Sequence, residues 1–399
     1  MVLADTEPGF GLDVAQRQRE TQMTTLELPA TDYTPTLPGH YFYDPSIFAL
    51  EQERIFSASW VCVGRADAIP AVGDYVLATV GTESVIVLRD RAGTLRAFLN
   101  VCRHRGARLC TAERGQLRAT IQCRYHAWTY ALDGKLVGAP NMKEDARFDP
   151  DLFGLVPVAL ENWEGLIFLN LGESPRPLAE QGNILHPRLA RYHLGELKVG
   201  GTLVYDLRSN WKIVIANYEE CAHCALVHPE LSAQVPDFRA GLTSGGIEDG
   251  AEFAEGIESL TPTGKTSRPL FRDLLPEERH RYYGMVLRPN VFLDLHPDYV
   301  VVSRIEPLAP DRTRIVSDLL FDPDVMARPD FDPSDAMEFT DLVSKQDAEV
   351  CELSQLGATS RGFRDGGVYG PNERHIRDFD DYVLAMLGQT QQVSGSYRA

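Results

Sequence analysis

Long apolar runs are missing from this 399-residue sequence. No stretch approaches about 18 consecutive apolar residues, so no membrane-spanning helix is expected. Basic charge is scarce too: 39 Lys and Arg stand against 57 Asp and Glu, a formal net charge of −18. That balance argues against nucleic acid or an anionic membrane as partner, since both require a basic footprint. The opening residues, MVLADTEPGFGLDVAQRQRETQ, show no basic segment followed by an apolar one, so no secretory signal is expected. Cysteines are few and odd in number: Cys62, Cys102, Cys110, Cys123, Cys221, Cys224 and Cys351. Such a set points to reduced thiols and metal ligands in a cytoplasmic protein, not to a disulfide framework. What remains is globular composition, 44% apolar and 24% charged, in a chain long enough for two or three domains.

Residues 1–42 read as a polar arm with Pro35 and Pro38, partly disordered. A short amphipathic helix is expected over Asp44–Phe56, with Phe48, Ile55 and Phe56 on its apolar side. From Trp60 to Leu171 the pattern changes to short β-runs (SVIVLRD, TLRAFLN, TIQCRYHAWTY, GLIFLNL) split by turns such as Asp133-Gly134, which predicts a small β-domain over 43–171. Pro175 and Pro177 mark a boundary. The second part, 172–390, mixes expected strands (GTLVYDLRSNWKIVIAN, NVFLDL, YVVVSRIEPL, TRIVSDLLF) with helices around 218–228, 334–356 and 372–387. This is an α+β pattern, an antiparallel sheet covered by helices. Residues 391–399 read as a frayed tail.

The sharpest motif is Cys102-Arg-His104, eighteen residues, then Cys123-Arg-Tyr-His126. Two thiolates and two imidazoles in tight pairs suit a Rieske [2Fe–2S] centre, with both Cys on one iron and both His on the other. Neutral imidazole in place of thiolate removes negative charge and raises the reduction potential. The same four ligands also suit a tetrahedral structural zinc. Cys62 and Cys110 are expected to be buried small residues.

A second constellation lies in NWKIVIANYEECAHCALVHPEL, where Glu220, His223 and His228 offer one carboxylate and two imidazoles within nine residues. A 2-His-1-carboxylate set binds Fe(II) and leaves positions open for O₂. His223 and His228 are five apart, about 140° round an ideal helix, so both reach one metal only if the helix ends or distorts between them. Pro229 supplies the reason, because it disfavours helical geometry at His228. In DAMEFTDLVSKQDAEVCELSQLG, Phe339, Val343 and Val350 share an apolar helical face with Asp347 and Glu349 on its two shoulders. Helical phase does not choose between those acids. Glu352 is expected at the surface. Cys221 and Cys224 form a Cys-x-x-Cys that is expected to pack near the site.

The segments VCRHRGARL and CRYHAWTYALDGKL resemble the Rieske domain of ring-hydroxylating and related non-haem iron oxygenases, as does the upstream run from Gly73. The Glu220–His228 segment resembles that family's iron-binding segment, and QDAEVCELSQLG the segment whose Asp completes the triad. The resemblance spans roughly residues 35–390. It implies an N-terminal all-β Rieske domain beside a catalytic domain with an antiparallel sheet flanked by helices. It also implies a [2Fe–2S] cluster on Cys102, His104, Cys123 and His126, and a mononuclear Fe(II) on His223, His228 and Asp347. In the family the acid at position 220 is not a ligand. It bridges to the Rieske histidine of a neighbouring subunit, a role carried onto Glu220. Asn217 matches a family position near the iron. Tyr218 reads equally as pocket or core.

The implied protein is the oxygenase component of a two-component system and a homotrimer. A separate NAD(P)H-dependent flavin/iron–sulfur reductase supplies electrons, and a small substrate is hydroxylated with O₂. Glu at the bridge, a chain near 400 residues, and the NYEECAHCALVHPEL and VCELSQLG segments look most like the branch acting on choline, carnitine, glycine betaine and stachydrine. That favours N-demethylation or C–N cleavage of a quaternary ammonium compound, with Tyr205, Phe292 and Tyr299 as candidate faces for the cation. The alternative is a ring-hydroxylating or O-demethylating oxygenase on an aromatic substrate. A Rieske electron carrier without oxygenase activity and a zinc-dependent hydrolase or structural module are more distant rivals.

Overall fold

Short β-branched runs bounded by Gly and Asp turns become strands throughout the first half of the chain. The computed structural model describes residues 34–389 except 141, 143, 182, 183, 244 and 245. The expected disorder of residues 1–33 and the expected fraying of 391–399 lie outside the described residues. The described end of the arm is packed: Pro35 bridges Val368 and Leu37 is buried.

Strands β1 (Val61–Arg65), β2 (Asp74–Val80), β3 (Glu83–Arg89), β4 (Leu95–Leu99), β5 (Arg114–Gln116), β6 (Thr120–Gln122), β7 (Thr129–Ala131), β8 (Leu136–Gly138), β9 (Ala159–Trp163) and β10 (Leu166–Asn170) form three small antiparallel sheets. Their orders are β1-β10-β9, β4-β3-β2-β5 and β6-β7-β8. The Asp133-Gly134 turn falls between β7 and β8, and Gly134 takes a φ of +89°, where an L side chain would be strained.

The second half is organised by one six-stranded antiparallel sheet. Its strands are β11 (Lys198–Leu207), β12 (Ala251–Glu252), β13 (Arg281–Leu287), β14 (Val291–Leu295), β15 (Val300–Ala309) and β16 (Arg312–Phe321), in the order β11-β16-β15-β14-β13-β12. Successive side chains point to opposite faces. One face puts Tyr283, Met285, Leu287, Leu293, Leu295, Val300, Val302 and Leu320 into a core shared with Trp60, Leu166 and Phe168 of the first half. The other face looks onto a cavity roofed by helices.

The flanking helices are α1 (Pro45–Glu51), α2 (Trp211–Tyr218), α3 (Cys224–Val227), α4 (Pro229–Gln234), α5 (Ser334–Ala358) and α6 (Arg374–Met386). From α1 the chain continues into a π-helical turn over Gln52–Phe56, so the expected helix over Asp44–Phe56 is present with a wider last turn. The run GTLVYDLRSNWKIVIAN does not stay extended: it is β11 followed by α2. Asn210 breaks the strand, its side chain capping the helix by accepting from the Lys212 N–H. Trp211, Lys212, Val214 and Ile215 are buried and the other residues of α2 half-buried, so no exposed polar face marked the helical period.

Lys212 is buried because Glu51 reaches it from α1, Nζ to Oε1 at 2.5 Å, while Trp211 Nε1 donates to Glu51 Oε2 at 2.8 Å. Burial pulls the lysine below its usual range, and Glu51 opposes that pull. The ion pair pins the helix that precedes the site to the first half of the chain. No helix among the described residues is long and apolar enough to cross a membrane.

Candidate active site

The two cysteine loops fold by one local pattern. The Gly106 N–H donates to the Cys102 carbonyl at 3.0 Å, and the Ala127 N–H to the Cys123 carbonyl at 3.0 Å. The Cys102 N–H is returned to Ala107, and the Cys123 N–H to Trp128. Both turns need a left-handed residue four positions after the cysteine: Gly106 (φ +71°) and Ala127 (φ +55°). The loops bring the rings of His104 and His126 to 4.6 Å, with His104 stacked on Trp128. Cys102 and Cys123 are buried, and the Cys102 Sγ meets the Tyr130 hydroxyl at 3.3 Å. His104 Nδ1 is buried with no hydrogen-bond partner among the described residues. Two sheltered sulfurs opposite two imidazoles, one presenting an unsatisfied nitrogen, fit a cluster held at that point.

At the second constellation the helix does end where the spacing required. α2 stops at Tyr218, residues 219–223 turn, and α3 closes at His228 with φ −121° and ψ +67°, followed by Pro229. A continuous helix around 218–228 is therefore replaced by two short ones. The break turns both imidazoles toward α5, where Asp347 Oδ1 lies 3.3 Å from His223 Nε2 and 2.9 Å from His228 Nε2. On the far side of His228, Nδ1 lies 2.8 Å from Gln346 Oε1. Gln346 Nε2 donates to Glu230, which fixes the amide orientation. Because Oε1 can only accept, His228 Nδ1 carries its proton and Nε2 is left facing Asp347.

His223 Nδ1 pairs with Glu220 Oε1 at 2.5 Å. Asn217, in the last turn of α2, reaches His223 Nε2 with its amide at 3.5 Å. Burial alone would pull His223 down, but Asp347 and Glu220 on its two ring nitrogens push it up to about 9. Burial pushes the Asp347 carboxyl up, and the two imidazoles more than offset this. The arrangement favours positive charge where the three side chains meet, which is what a divalent metal supplies. The neighbouring acids differ: Glu349 is exposed, and Glu352 accepts from the Arg208 N–H at 2.9 Å.

Cys221 and Cys224 lie in the wall beside His223, as expected, but joined as a disulfide. The expectation of reduced thiols fails there: the turn after α2 sets their Cα atoms 5.0 Å apart, within bridging reach. Cys62 and Cys110 are buried and unpaired.

The cavity that opens on these groups is about 680 Å³. Alternate residues of the sheet form its floor, among them Tyr282, Gly284, Val286, Phe292 and Asp294. Phe292 and Tyr299 line it as expected. Tyr205 is not among its lining residues, and its hydroxyl donates to Asp341 at 3.0 Å instead. Tyr218 is pocket: its ring stacks on Phe292 at 3.9 Å, and its hydroxyl donates to Asp294 at 2.5 Å. Sequence reasoning missed Asp294, Tyr282 and His296. The available signal was a period of two in strands otherwise apolar on both faces.

Comparison with known proteins agrees with this geometry. Residues 59–161 match the Rieske [2Fe-2S] domain, and residues 194–389 the ring hydroxylating alpha subunit catalytic domain. The chain is 32% identical over 379 residues to the glycine betaine monooxygenase oxygenase subunit of Chromohalobacter salexigens, covering 87% of this chain and 84% of that one. It is 30% identical over 347 residues to the carnitine monooxygenase oxygenase subunit of Escherichia coli, covering 83% and 86%. The crystal structure of the quaternary ammonium Rieske monooxygenase CntA with gamma-butyrobetaine superposes at a TM-score of 0.71 and 25% identity, over 89% of this chain and 96% of that one. The chain belongs to the Rieske non-haem iron oxygenases as an oxygenase (alpha) subunit, an oxidoreductase built for a [2Fe–2S] cluster and a mononuclear iron and served by a separate reductase.

Proposed function

We propose that this oxygenase removes an N-methyl group from a quaternary ammonium compound, or cleaves a C–N bond in one, by hydroxylating the carbon next to the charged nitrogen. The observation that carries the reading is the set of aromatic side chains that line the cavity beside His223, His228 and Asp347. The stacked Tyr218–Phe292 pair and the stacked His296–Tyr299 pair, 4.0 Å apart, both line it. A permanent cation gains about 0.5–2 kcal/mol from each suitably placed ring and needs no hydrogen-bond donor. Glycine betaine and carnitine, named for the relatives, each carry such a permanently cationic nitrogen.

In this reading Cys102, His104, Cys123 and His126 hold the cluster, and His223, His228 and Asp347 hold the iron. When bound, the cluster relays electrons and the iron activates O₂. One oxygen atom enters the C–H bond, while the other leaves as water with two reductase electrons and two protons. The hydroxymethyl ammonium then breaks its C–N bond, releasing formaldehyde, a proton and the tertiary amine. Gln346 keeps His228 in one tautomer, and Asn217 steadies the ring of His223. Glu220, against the outer nitrogen of His223, is placed to link it to the cluster histidine of a neighbouring subunit in a homotrimer. The partly exposed His126 beside the exposed Tyr125 supports that contact. An NAD(P)H-dependent reductase and a cytoplasmic location go with the same reading.

A second reading rests on the size of the cavity: about 680 Å³ also admits an aromatic substrate. With reductase and NAD(P)H, O₂ uptake and formaldehyde release are measured on glycine betaine, carnitine, gamma-butyrobetaine, stachydrine and choline, and on neutral aromatic N- and O-methyl compounds. Coupled formaldehyde or aldehyde from a quaternary amine is the expected result. Coupled product from the aromatic compounds alone would replace the first reading with the second.

A further inference from the structure

Among the described residues, buried carboxylates elsewhere face a cation with one exception, Asp380, which accepts from the Tyr369 hydroxyl at 2.6 Å. Glu51 has Lys212, Glu278 has Arg188 and Arg191, and Asp298 has Arg268. Asp294 has none among the described residues. It stands on the cavity floor in β14, a strand otherwise made of Val291, Phe292, Leu293 and Leu295. Its Oδ1 accepts from the Tyr218 and Tyr282 hydroxyls, and its side chain opens onto the cavity. A carboxylate taken out of bulk water is costly to keep charged without a positive partner.

The surroundings are shaped to hold that acid in place. Gly284 pairs with Asp294 in register on the adjacent strand β13. A Cβ on Gly284 would lie 2.7 Å from the Tyr282 hydroxyl and 3.0 Å from that of Tyr218. The missing side chain therefore makes room for the two donors that fix Asp294. The ring of Tyr218, stacked on Phe292, walls the same part of the cavity. The carboxyl is also close enough to the iron-ligand acid to feel it: burial, with repulsion from Asp347 added, pushes Asp294 up to about 6 despite the two hydroxyls.

We propose that Asp294 is the counter-ion for the substrate's cationic nitrogen, held by Tyr218 and Tyr282 so that the N-alkyl carbons lie in the cavity between it and the His223–His228–Asp347 group. The inference rests on the quaternary-ammonium reading and sharpens it. The aromatic faces supply shape and part of the attraction, and Asp294 supplies the charge selectivity that distinguishes an ammonium from a carbon centre of equal size. Asp294 binds; it takes no part in the bond changes.

The test compares a trimethylammonium ligand with its uncharged carbon isostere, choline against 3,3-dimethylbutan-1-ol. Calorimetric Kd and KM are measured on the holoenzyme. Wild type prefers the cation. Asp294→Asn is expected to weaken the cation by about tenfold or more and the isostere by less than about twofold, leaving kcat for a bound substrate far less affected than KM. Asp294→Glu keeps a charge near the same place and should retain the preference, which separates a charge effect from a packing one and serves if the Asn variant folds poorly. Asp294→Asn discriminating as well as wild type, or losing both ligands equally, overturns the counter-ion role while the wild-type preference keeps the substrate reading. A wild type blind to the charge on that pair removes the two together.

Discussion

At Cys102–His104 and Cys123–His126 the four donors come from two loops that fold by the same hydrogen-bonded turn, each complete within a few residues. At His223, His228 and Asp347 the third donor arrives from a helix 119 residues further on than His228. The first site is specified by local backbone geometry, including the left-handed Gly106 and Ala127. The second is specified by tertiary packing: α2 must stop, α3 must end at Pro229, and α5 must lie across the gap. A site of the first kind tolerates change elsewhere in the fold. One of the second kind is exposed to every contact that sets the angle between α2, α3 and α5.

The comparison is broken most severely by ligand replacement. Cys123→Ser or His126→Ala should abolish the visible cluster chromophore and all turnover while mononuclear iron is retained, as read by absorption, EPR and metal analysis. Loss of the mononuclear iron together with the cluster from either variant would mean that the two sites are not built independently. Glu220→Gln sharpens the link between them. Both centres should remain, but in single turnover cluster reoxidation with substrate and O₂ should slow by about tenfold or more. Reoxidation at the wild-type rate would remove Glu220 from the proposed electron path.

A third prediction targets the packing on which the second site depends. Glu51→Gln strands the buried Lys212 ammonium and should destabilise the chain by about 3–5 kcal/mol, measured by chemical denaturation. Iron retention should suffer before the cluster does, because Lys212 lies on α2. Equal loss of both would contradict the difference between the two sites.

The smallest effect concerns pH. Asp294 is raised from its usual range to about 6, so between about pH 4 and pH 6 the folded state binds more protons than the unfolded state. That contribution to stability is fully present below the unfolded value and is lost as pH rises through the folded one. Asp294→Asn should therefore gain on wild type across that window, by up to about 3 kcal/mol, and then level off. Parallel stability profiles for the two proteins would contradict it.

The same contrast explains what was legible beforehand. Cys102, His104, Cys123 and His126 could be read from spacing because their geometry is local. The break between His223 and His228 could be read because Pro229 constrains its neighbour. Asp347 could not be separated from Glu349 by helical phase, because which shoulder of α5 faces α3 is decided by packing. Residues 211–217 were misread as strand, since the consecutive β-branched Ile213, Val214 and Ile215 read as a strand and mask the i, i+3, i+4 spacing of Trp211, Val214 and Ile215. Tyr205 was expected in the pocket, but its strand β11 runs at the edge of the sheet, where Asp341 takes the hydroxyl. Asp294 was the legible clue left unused: one acid in VFLDL, a strand otherwise apolar on both faces.

Asp347→Ala, analysed for iron and by EPR after reduction, tests the central claim most directly. The account predicts a cluster EPR signal of wild-type shape and intensity, iron reduced to the cluster's complement, and no formaldehyde from any substrate. Retained mononuclear iron with coupled turnover, or loss of iron in Glu349→Ala instead, would contradict it.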